Sequence, residues 1–210
     1  MADTRVKICG LTDPAAVAAA ADAGAAYFGF VFFPKSPRHL TPAEARSLAA
    51  GAPPGRATVA LTVDADDAML DAILAEVPID ILQLHGSETA ARVAEVRART
   101  GLPVMKAVGL ATADDLPALD ATGADMVLVD ARPAPGADLP GGNGLAFDWR
   151  LLDGHRWTVP WMLAGGLTPG TAADAVARTG ARQLDVSSGV ESAPGRKDPD
   201  LIRAFLAAVP

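Results

Sequence analysis

The 210-residue sequence lacks several features that would point to secretion, membrane insertion or nucleic-acid binding. It contains one cysteine, so no internal disulfide can form, and this agrees with a reducing cytoplasm. No apolar run reaches the about 18 residues that cross a bilayer, and no basic segment followed by an apolar one opens the chain. Runs of basic residues are absent too, and the formal net charge is −7. We therefore expect a cytoplasmic protein with no nucleic-acid or membrane partner, in which the single cysteine, Cys9, has another role.

Apolar residues, in contrast, are plentiful. Half of the residues are hydrophobic, 20% are charged and the mean hydropathy is +0.23, so the chain can bury a large core. No linker, low-complexity segment or change of composition divides the sequence, and a chain of this length most often forms one domain. We predict a single domain over residues 1–210, in which any anionic ligand must be held by a local site.

Short β-rich runs alternate with Ala-rich segments of helical spacing along the whole sequence. The predicted strands are residues 5–9, 27–32, 57–63, 79–84, 104–108, 126–129, 161–164 and 183–186. The predicted helices are residues 14–23, 41–50, 66–77, 87–99, 113–119, 147–152, 168–177 and 198–208. A doubly wound open sheet more often has about five or six strands. Eight strand–helix units therefore predict an α/β fold of the closed kind, a single (β/α)8 TIM barrel.

In such a barrel the working groups lie where the strands end and the following loops begin. These positions hold Cys9, Arg38, His85, Asp130, Gly165, Gly166, Ser187, Ser188 and Gly189. The longest region without a predicted element, residues 131–146, is rich in Pro and Gly. A loop of this length inside a compact fold is usually functional or mobile.

Six short segments at these positions combine small, basic and acidic residues in a fixed order. They are Lys7-Ile8-Cys9-Gly10-Leu11-Thr12, Ser36-Pro37-Arg38, Leu82-Gln83-Leu84-His85-Gly86, Gly141-Gly142-Asn143-Gly144, Leu163-Ala164-Gly165-Gly166-Leu167 and Asp185-Val186-Ser187-Ser188-Gly189-Val190-Glu191. With Gly195-Arg196-Lys197-Asp198 after them, they resemble the phosphoribosylanthranilate isomerase family over residues 7 to 198. One such segment would be weak support, whereas six in order at barrel positions are a specific signal.

The resemblance implies an isomerase of tryptophan biosynthesis whose partner is a small-molecule substrate. The reaction is the Amadori rearrangement of N-(5-phosphoribosyl)anthranilate to 1-(o-carboxyphenylamino)-1-deoxyribulose 5-phosphate, and it requires neither a metal nor an organic cofactor. An acid protonates the ring oxygen as the ring opens, and a base removes the C2 proton. The resemblance assigns the base to Cys9 and the acid to Asp130. The structural alternative for Cys9 is a small buried hydrophobic residue, and that for Asp130 is a cap or turn residue.

Lys7 and Asp185 are expected to form a buried pair beside Cys9. Lys7 shares the strand parity of Cys9, so both should point into the barrel. A buried lysine needs a partner charge, and strand eight, which carries Asp185, pairs with strand one in a closed barrel. The pair either helps to lower the pKa of the Cys9 thiol, as a thiolate base requires, or is a structural ion pair. The resemblance adds a contact between Asp185 and a ribose hydroxyl.

Two further groups of residues are expected to bind the charged ends of the substrate. By resemblance Arg38 holds the anthranilate carboxylate, because a guanidinium can bind two oxygens, and a solvated loop arginine is the alternative. The predicted phosphate cradle consists of backbone N–H groups, with ordinary turns as the alternative. It comprises Gly165, Gly166, Ser187, Ser188 and Gly189.

Two further side chains are predicted to point inward, one directly after strand four and one on strand five. His85 follows Gln83 with inward parity and either orients the ligand or Asp130, or is a core histidine. Lys106, also predicted to point inward, adds positive potential or pairs with a neighbouring carboxylate.

The sequence departs from the family pattern at two places near the predicted pocket. Thr62 lies where the family often has an aromatic residue, and Asn143-Gly144-Leu145 stands where a Thr and a Lys are common. Both departures concern the shape of the anthranilate pocket and its covering loop rather than the acid and base.

Two other functions remain open at this point. One is a sister sugar-phosphate isomerase that serves histidine biosynthesis or both pathways. By resemblance, those barrels use two aspartates as acid and base, so Cys9 on strand one argues against them. The other is a non-catalytic sugar-phosphate sensor, which has no need of the pair Cys9 and Asp130. The sequence is compatible with a monomer or a homodimer.

Overall fold

The computed structural model describes residues 4–133, 136, 139, 141–142 and 144–210. Within them, eight parallel strands close into one barrel in chain order, with β8 paired to β1. The strands are β1 (Arg5–Cys9), β2 (Tyr27–Phe32), β3 (Ala57–Thr62), β4 (Ile81–Leu84), β5 (Val104–Leu110), β6 (Met126–Ala131), β7 (Trp161–Leu163) and β8 (Gln183–Val186). The predicted (β/α)8 barrel is therefore confirmed.

Helices follow most of the strands and cover the outside of the barrel. They are α1 (Pro14–Asp22), α2 (Pro42–Ala49), α3 (Asp67–Glu76), α4 (Ala90–Thr100), α5 (Pro117–Asp120), α6 (Ala172–Thr179) and α7 (Pro199–Ala208). The helix starts follow from capping residues: the side chains of Asp13, Thr41 and Asp198 each accept a backbone N–H, and a proline comes next. No helix in the described part of the chain is long and apolar enough to cross a membrane.

Two of the predicted helices are wrong in length or type. In place of a helix at 113–119, the chain forms a 3-10 turn at Ala113–Asp115 and then the single turn α5, which begins at Pro117. Proline has no N–H to continue the preceding turn. In place of a helix at 147–152 there is only a 3-10 segment, Trp149–Leu152, because the Asp148 side chain caps the Arg150 N–H.

Two other predicted helices start later than expected. Thr89 caps Arg92, so α4 begins at Ala90 rather than at residue 87. The helix predicted at 168–177 begins only at Ala172, the first residue of α6. Residues 168–171 form a turn instead, in which the Thr171 hydroxyl hydrogen-bonds the Thr168 backbone.

A small antiparallel hairpin that was not predicted follows β8. It consists of β9 (Glu191–Ala193) and β10 (Arg196–Lys197), and a 3-10 turn, Ser188–Val190, joins it to β8. Its turn residue Gly195 has a φ of +78° and packs so closely against the Pro37 carbonyl that a Cβ would collide there. The hairpin thus lies against the loop that follows β2.

Alternate residues of each strand face the helices and the barrel interior. In β1, Val6 and Ile8 join the large core between strands and helices, whereas Cys9 packs inside the barrel with Val31 and Leu61. The Lys7 side chain also lies inside, next to Gly29, where a Cβ would come 3.1 Å from its Nζ. Glycine at that position therefore leaves the room that a buried lysine needs.

Candidate active site

The carboxyl ends of the strands surround a pocket of ≈ 770 Å³, a volume that includes space open to solvent. Of the predicted site residues, all except Lys7 line it: Cys9, Arg38, His85, Asp130, Gly165, Gly166, Asp185, Ser187, Ser188 and Gly189. Lys7 is fully buried beneath the floor. The structure thus brings together residues from β1, β6 and β8 and from the loops that follow β2, β4, β7 and β8.

Lys7 and Asp185 form the expected contact at the bottom of the pocket. The Lys7 Nζ donates a hydrogen bond to the Asp185 Oδ1 at 2.9 Å. Burial alone would lower the pKa of Lys7, but the charge of Asp185, together with Cys9, raises it overall. Lys7 is therefore a cation in the floor of the barrel, with its charge largely offset by Asp185.

The pKa of the Cys9 thiol departs from its usual value in the direction opposite to the expected one. Burial raises this pKa, the nearby Lys7 ammonium lowers it by less, and the Asp185 carboxylate raises it further. The expectation of a lowered pKa is therefore wrong. Its physical reason is that Asp185 offsets the positive charge that a thiolate would need.

Asp130 lies on the other side of the pocket, within the end of β6 rather than after it. Its Oδ1 accepts the Ala131 N–H at 2.8 Å, and its Oδ2 lies 3.5 Å from the His85 Nε2. The other ring nitrogen, Nδ1, lies 2.9 Å from the Gln83 Nε2, and Gln83 is fully buried. If the Gln83 amide donates, the imidazole proton is on Nε2 and points at Asp130. His85 thus bridges a buried amide and the predicted acid.

Arg38 is buried and paired rather than solvated. Its Nε and Nη2 donate to the two carboxylate oxygens of Glu191 at 2.7 and 2.8 Å. Its Nη2 also lies 3.3 Å from the Gly142 carbonyl oxygen, and its aliphatic stem packs over Gly10. One edge of the guanidinium is therefore occupied by Glu191. The atom that remains, Nη1, has no hydrogen bond to any residue that the structure describes.

Sequence reasoning gave no role to two charged residues of the hairpin, Glu191 and Lys197, although both lie in the segments that carry the resemblance. The Lys197 Nζ donates to Glu191 at 2.6 Å and to the Ser187 carbonyl oxygen at 3.0 Å. Burial would raise the pKa of Glu191, but Arg38 and Lys197 hold it below its usual value. Burial lowers the pKa of Lys197 despite Glu191.

The loops after β7 and β8 present backbone N–H groups to the pocket. Gly165 and Gly166 have φ values of +85° and +65°, and a Cβ at Gly189 would collide with the Leu167 carbonyl oxygen, so the two loops touch. The N–H groups of Gly165, Gly166, Ser188 and Gly189 are among those of the two loops that donate to no described residue. Unpaired N–H groups that line a pocket can bind an anion.

The loop after β6 covers the pocket with glycines. A Cβ at Gly141 would lie 2.5 Å from the His85 Nε2 and 2.8 Å from the Asp130 Oδ2, so only glycine fits. Asn143 and residues 134–135, 137–138 and 140 of this loop lie outside the described residues. At the end of β3, Leu61 and Val63, the first residue after the strand, line the pocket, whereas Thr62 does not.

Lys106 does not point into the barrel as predicted. It shares a face of β5 with Val104, which packs against the helices, while Met105 and Ala107 face the interior. Its Nζ donates to the Gly86 carbonyl oxygen and lies 3.2 Å from Glu88. Within the described part of the chain, no group of three or more His, Cys, Asp or Glu side chains is placed to hold a metal ion.

Comparisons with known proteins match nearly the whole chain to one family. The family model described as N-(5'phosphoribosyl)anthranilate (PRA) isomerase matches residues 6–208. The N-(5'-phosphoribosyl)anthranilate isomerase of Cereibacter sphaeroides is 65% identical over 210 residues, which is 99% of each chain. A crystal structure of monomers generated from the dimeric phosphoribosylanthranilate isomerase of Thermotoga maritima has a TM-score of 0.82, with 32% identity over 98% of this chain and 97% of that chain.

A second solved structure carries a bound ligand. It is phosphoribosyl anthranilate isomerase in complex with reduced 1-(o-carboxyphenylamino)-1-deoxyribulose 5-phosphate. Its TM-score is 0.80, with 31% identity over 98% of this chain and 97% of that chain.

Proposed function

Because the chain belongs to the N-(5'-phosphoribosyl)anthranilate isomerase family and is an isomerase, we propose that it uses Cys9 as base and Asp130 as acid. The substrate is N-(5-phosphoribosyl)anthranilate and the product is 1-(o-carboxyphenylamino)-1-deoxyribulose 5-phosphate. The observation that carries the assignment is that both side chains line one pocket. They come from β1 and β6, which are separated by β7 and β8 around the barrel, so they approach a ligand from different sides.

The first step opens the ribose ring. Asp130 donates its proton to the ring oxygen as the C1–O bond breaks and the anthranilate nitrogen forms a C=N bond, which leaves an iminium. His85, with its Nε2 toward the Asp130 Oδ2, stabilises the carboxylate that results. The Ala131 N–H holds the other carboxylate oxygen in place.

The second step moves a proton from carbon. The Cys9 thiolate removes the C2 proton, the electron pair forms the C1=C2 bond, and the iminium becomes a neutral enolamine that tautomerises to the ketone. No electrons leave the substrate, so no redox partner is needed. The proposed base requires a reduced cysteine, which fits the cytoplasm as the location of the protein.

Three groups hold the substrate in this arrangement. Arg38 offers Nη1 to the anthranilate carboxylate. The N–H groups of the loops after β7 and β8 bind the phosphate dianion, at the usual phosphate position of such barrels. Asp185 accepts a hydrogen bond from a ribose hydroxyl at the pocket floor while it also pairs with Lys7.

The function is tested by the loss of fluorescence of N-(5-phosphoribosyl)anthranilate, generated in place from anthranilate and phosphoribosyl pyrophosphate. We expect the purified protein to consume it and to form the ketose product. No turnover, combined with turnover of the aminoaldose phosphate of histidine biosynthesis, would support a sister isomerase instead. Binding of either sugar phosphate without turnover would support a sensor.

A further inference from the structure

A buried carboxylate lies where an anionic ligand is proposed to bind. Glu191 takes one edge of the Arg38 guanidinium, yet Arg38 is the residue proposed to hold the anthranilate carboxylate. A negative charge at this place would repel that ligand. Its presence therefore requires either a structural explanation or a part in recognition.

The geometry of the contact favours a part in recognition. Glu191 binds Arg38 through Nε and Nη2 together, which fixes the plane of the guanidinium as well as its position. With that edge occupied, Nη1 is the nitrogen that remains for a ligand. The Gly142 backbone, which lines the pocket, lies next to it, and a Cβ at Gly142 would come 2.9 Å from Nη1.

Lys197 offsets the charge of Glu191. Its ammonium is fully buried and lies 2.6 Å from the Glu191 Oε1, and the Glu191 Oε2 also accepts the Gly195 N–H at 3.2 Å. Arg38, Glu191 and Lys197 together carry one net positive charge. This charge matches the single negative charge of an aromatic carboxylate.

The same lysine joins this cluster to the strand that carries the proposed base. Its Nζ donates to the carbonyl oxygen of Ser187 and lies 3.2 Å from the Ser187 hydroxyl, which donates to the Cys9 carbonyl oxygen at 3.0 Å. The hairpin β9–β10 thereby fixes Arg38 relative to the end of β1.

We propose that Glu191 and Lys197 are positioning residues for the substrate carboxylate: Glu191 orients Arg38 so that Nη1 faces the ligand, and Lys197 keeps the cluster cationic. This inference rests on the proposed function, and in particular on carboxylate binding by Arg38. It assigns the unpredicted hairpin after β8 to substrate recognition.

The test compares KM and kcat for N-(5-phosphoribosyl)anthranilate in four proteins: wild type, Glu191→Gln, Arg38→Met and the double variant. We expect Glu191→Gln to raise KM by about tenfold or more with little change in kcat. Arg38 would no longer be held in place, so its charge-assisted contact with the substrate carboxylate would be lost. In the Arg38→Met background the same change should have no further effect. Glu76→Gln, an exposed glutamate on α3, is the matched control.

The sign of the effect separates orientation from simple repulsion. If Glu191 only repelled the ligand, Glu191→Gln would lower KM, and that result would overturn the proposal. An equal loss in the Arg38→Met background would overturn it as well, since Glu191 would then act through another residue. If the wild type does not turn over the substrate, the proposed function fails and the inference fails with it.

A binding measurement keeps the test independent of catalysis. The ligands are reduced 1-(o-carboxyphenylamino)-1-deoxyribulose 5-phosphate and its counterpart without the carboxyl group. We expect the wild type to prefer the carboxylated ligand, and both Glu191→Gln and Lys197→Gln to lose that preference. If Glu191→Gln does not fold, Lys197→Gln alone decides: an unchanged preference contradicts the proposal.

Discussion

The ionisation of the Cys9 thiol governs the second proton transfer of the proposed mechanism. Burial raises its pKa, and Lys7 lowers it by less because the lysine charge is shared with Asp185. Cys9 therefore keeps its proton at neutral pH. The thiolate, which is the proposed base, accumulates only as the pH rises. The raised pKa therefore gives a smaller fraction of thiolate but makes that thiolate a stronger base.

This property predicts the pH dependence of Cys9 reactivity. Alkylation by iodoacetamide should be slow at neutral pH and accelerate at pH values above about 8.5, the pKa of a free cysteine. Asp185→Asn removes a charge that raises the pKa, so the profile should move to lower pH, and Lys7→Met should move it to higher pH. Cys9 is the only cysteine, so mass spectrometry of the intact protein reports on it alone. Rapid alkylation of the wild type at neutral pH would contradict this account.

Single-residue contacts were predictable from the sequence where strand geometry determines them. The Lys7–Asp185 contact follows from barrel closure and inward parity. Strand parity gives the wrong side for Lys106: it predicts this side chain inside the barrel, whereas Met105 and Ala107 take the interior positions of β5. The partners of Arg38 were not predictable, because loop and hairpin conformations bring Glu191 to it.

At the scale of elements, the sequence predicts the barrel strands better than the helices. The strands are apolar runs buried on both faces, and polar caps such as Asp13 and Thr41 separate them from the helices. The segment after β5 shortens to a 3-10 turn and the single turn α5, which starts at Pro117, and the segment after β6 shortens to a 3-10 turn that Asp148 caps. The hairpin β9–β10 is too short for a period-two pattern to indicate it.

The loop after β6 provides the test that belongs to this scale. Gly141 has no positive φ, so alanine is tolerated by its backbone, but the added Cβ would reach the His85 Nε2 and the Asp130 Oδ2. We expect Gly141→Ala to lower kcat for N-(5-phosphoribosyl)anthranilate by about tenfold or more, since the acid must shift. The control is Gly170→Ala, where the nearest atom is 3.9 Å away. A wild-type kcat for Gly141→Ala would contradict the close packing of this loop against Asp130.

For the whole molecule, charge balance explains how an acidic protein can hold an anionic substrate. The chain has a net charge of −7, whereas the pocket and its supporting residues contain three cations, two carboxylates and Asp130, which carries a proton in the proposed mechanism. The charged residues are Lys7, Arg38, Lys197, Asp185 and Glu191. Their sum is one positive charge inside an acidic protein, so long-range attraction contributes little. In the proposed function, binding of the phosphate therefore depends on the N–H groups after β7 and β8, and binding of the carboxylate depends on the cluster around Arg38.

The most direct test of the account is the rate constant kcat/KM of Cys9→Ala and of Asp130→Asn beside the wild type. Each variant should lose at least about 10²-fold, the usual contribution of one proton-transfer group, while its circular dichroism stays unchanged. Asp22→Asn, an exposed aspartate at the end of α1, is the matched control and should keep the wild-type rate. If either Cys9→Ala or Asp130→Asn turned over N-(5-phosphoribosyl)anthranilate at the wild-type rate, that residue would have no part in proton transfer and the proposed mechanism would be wrong.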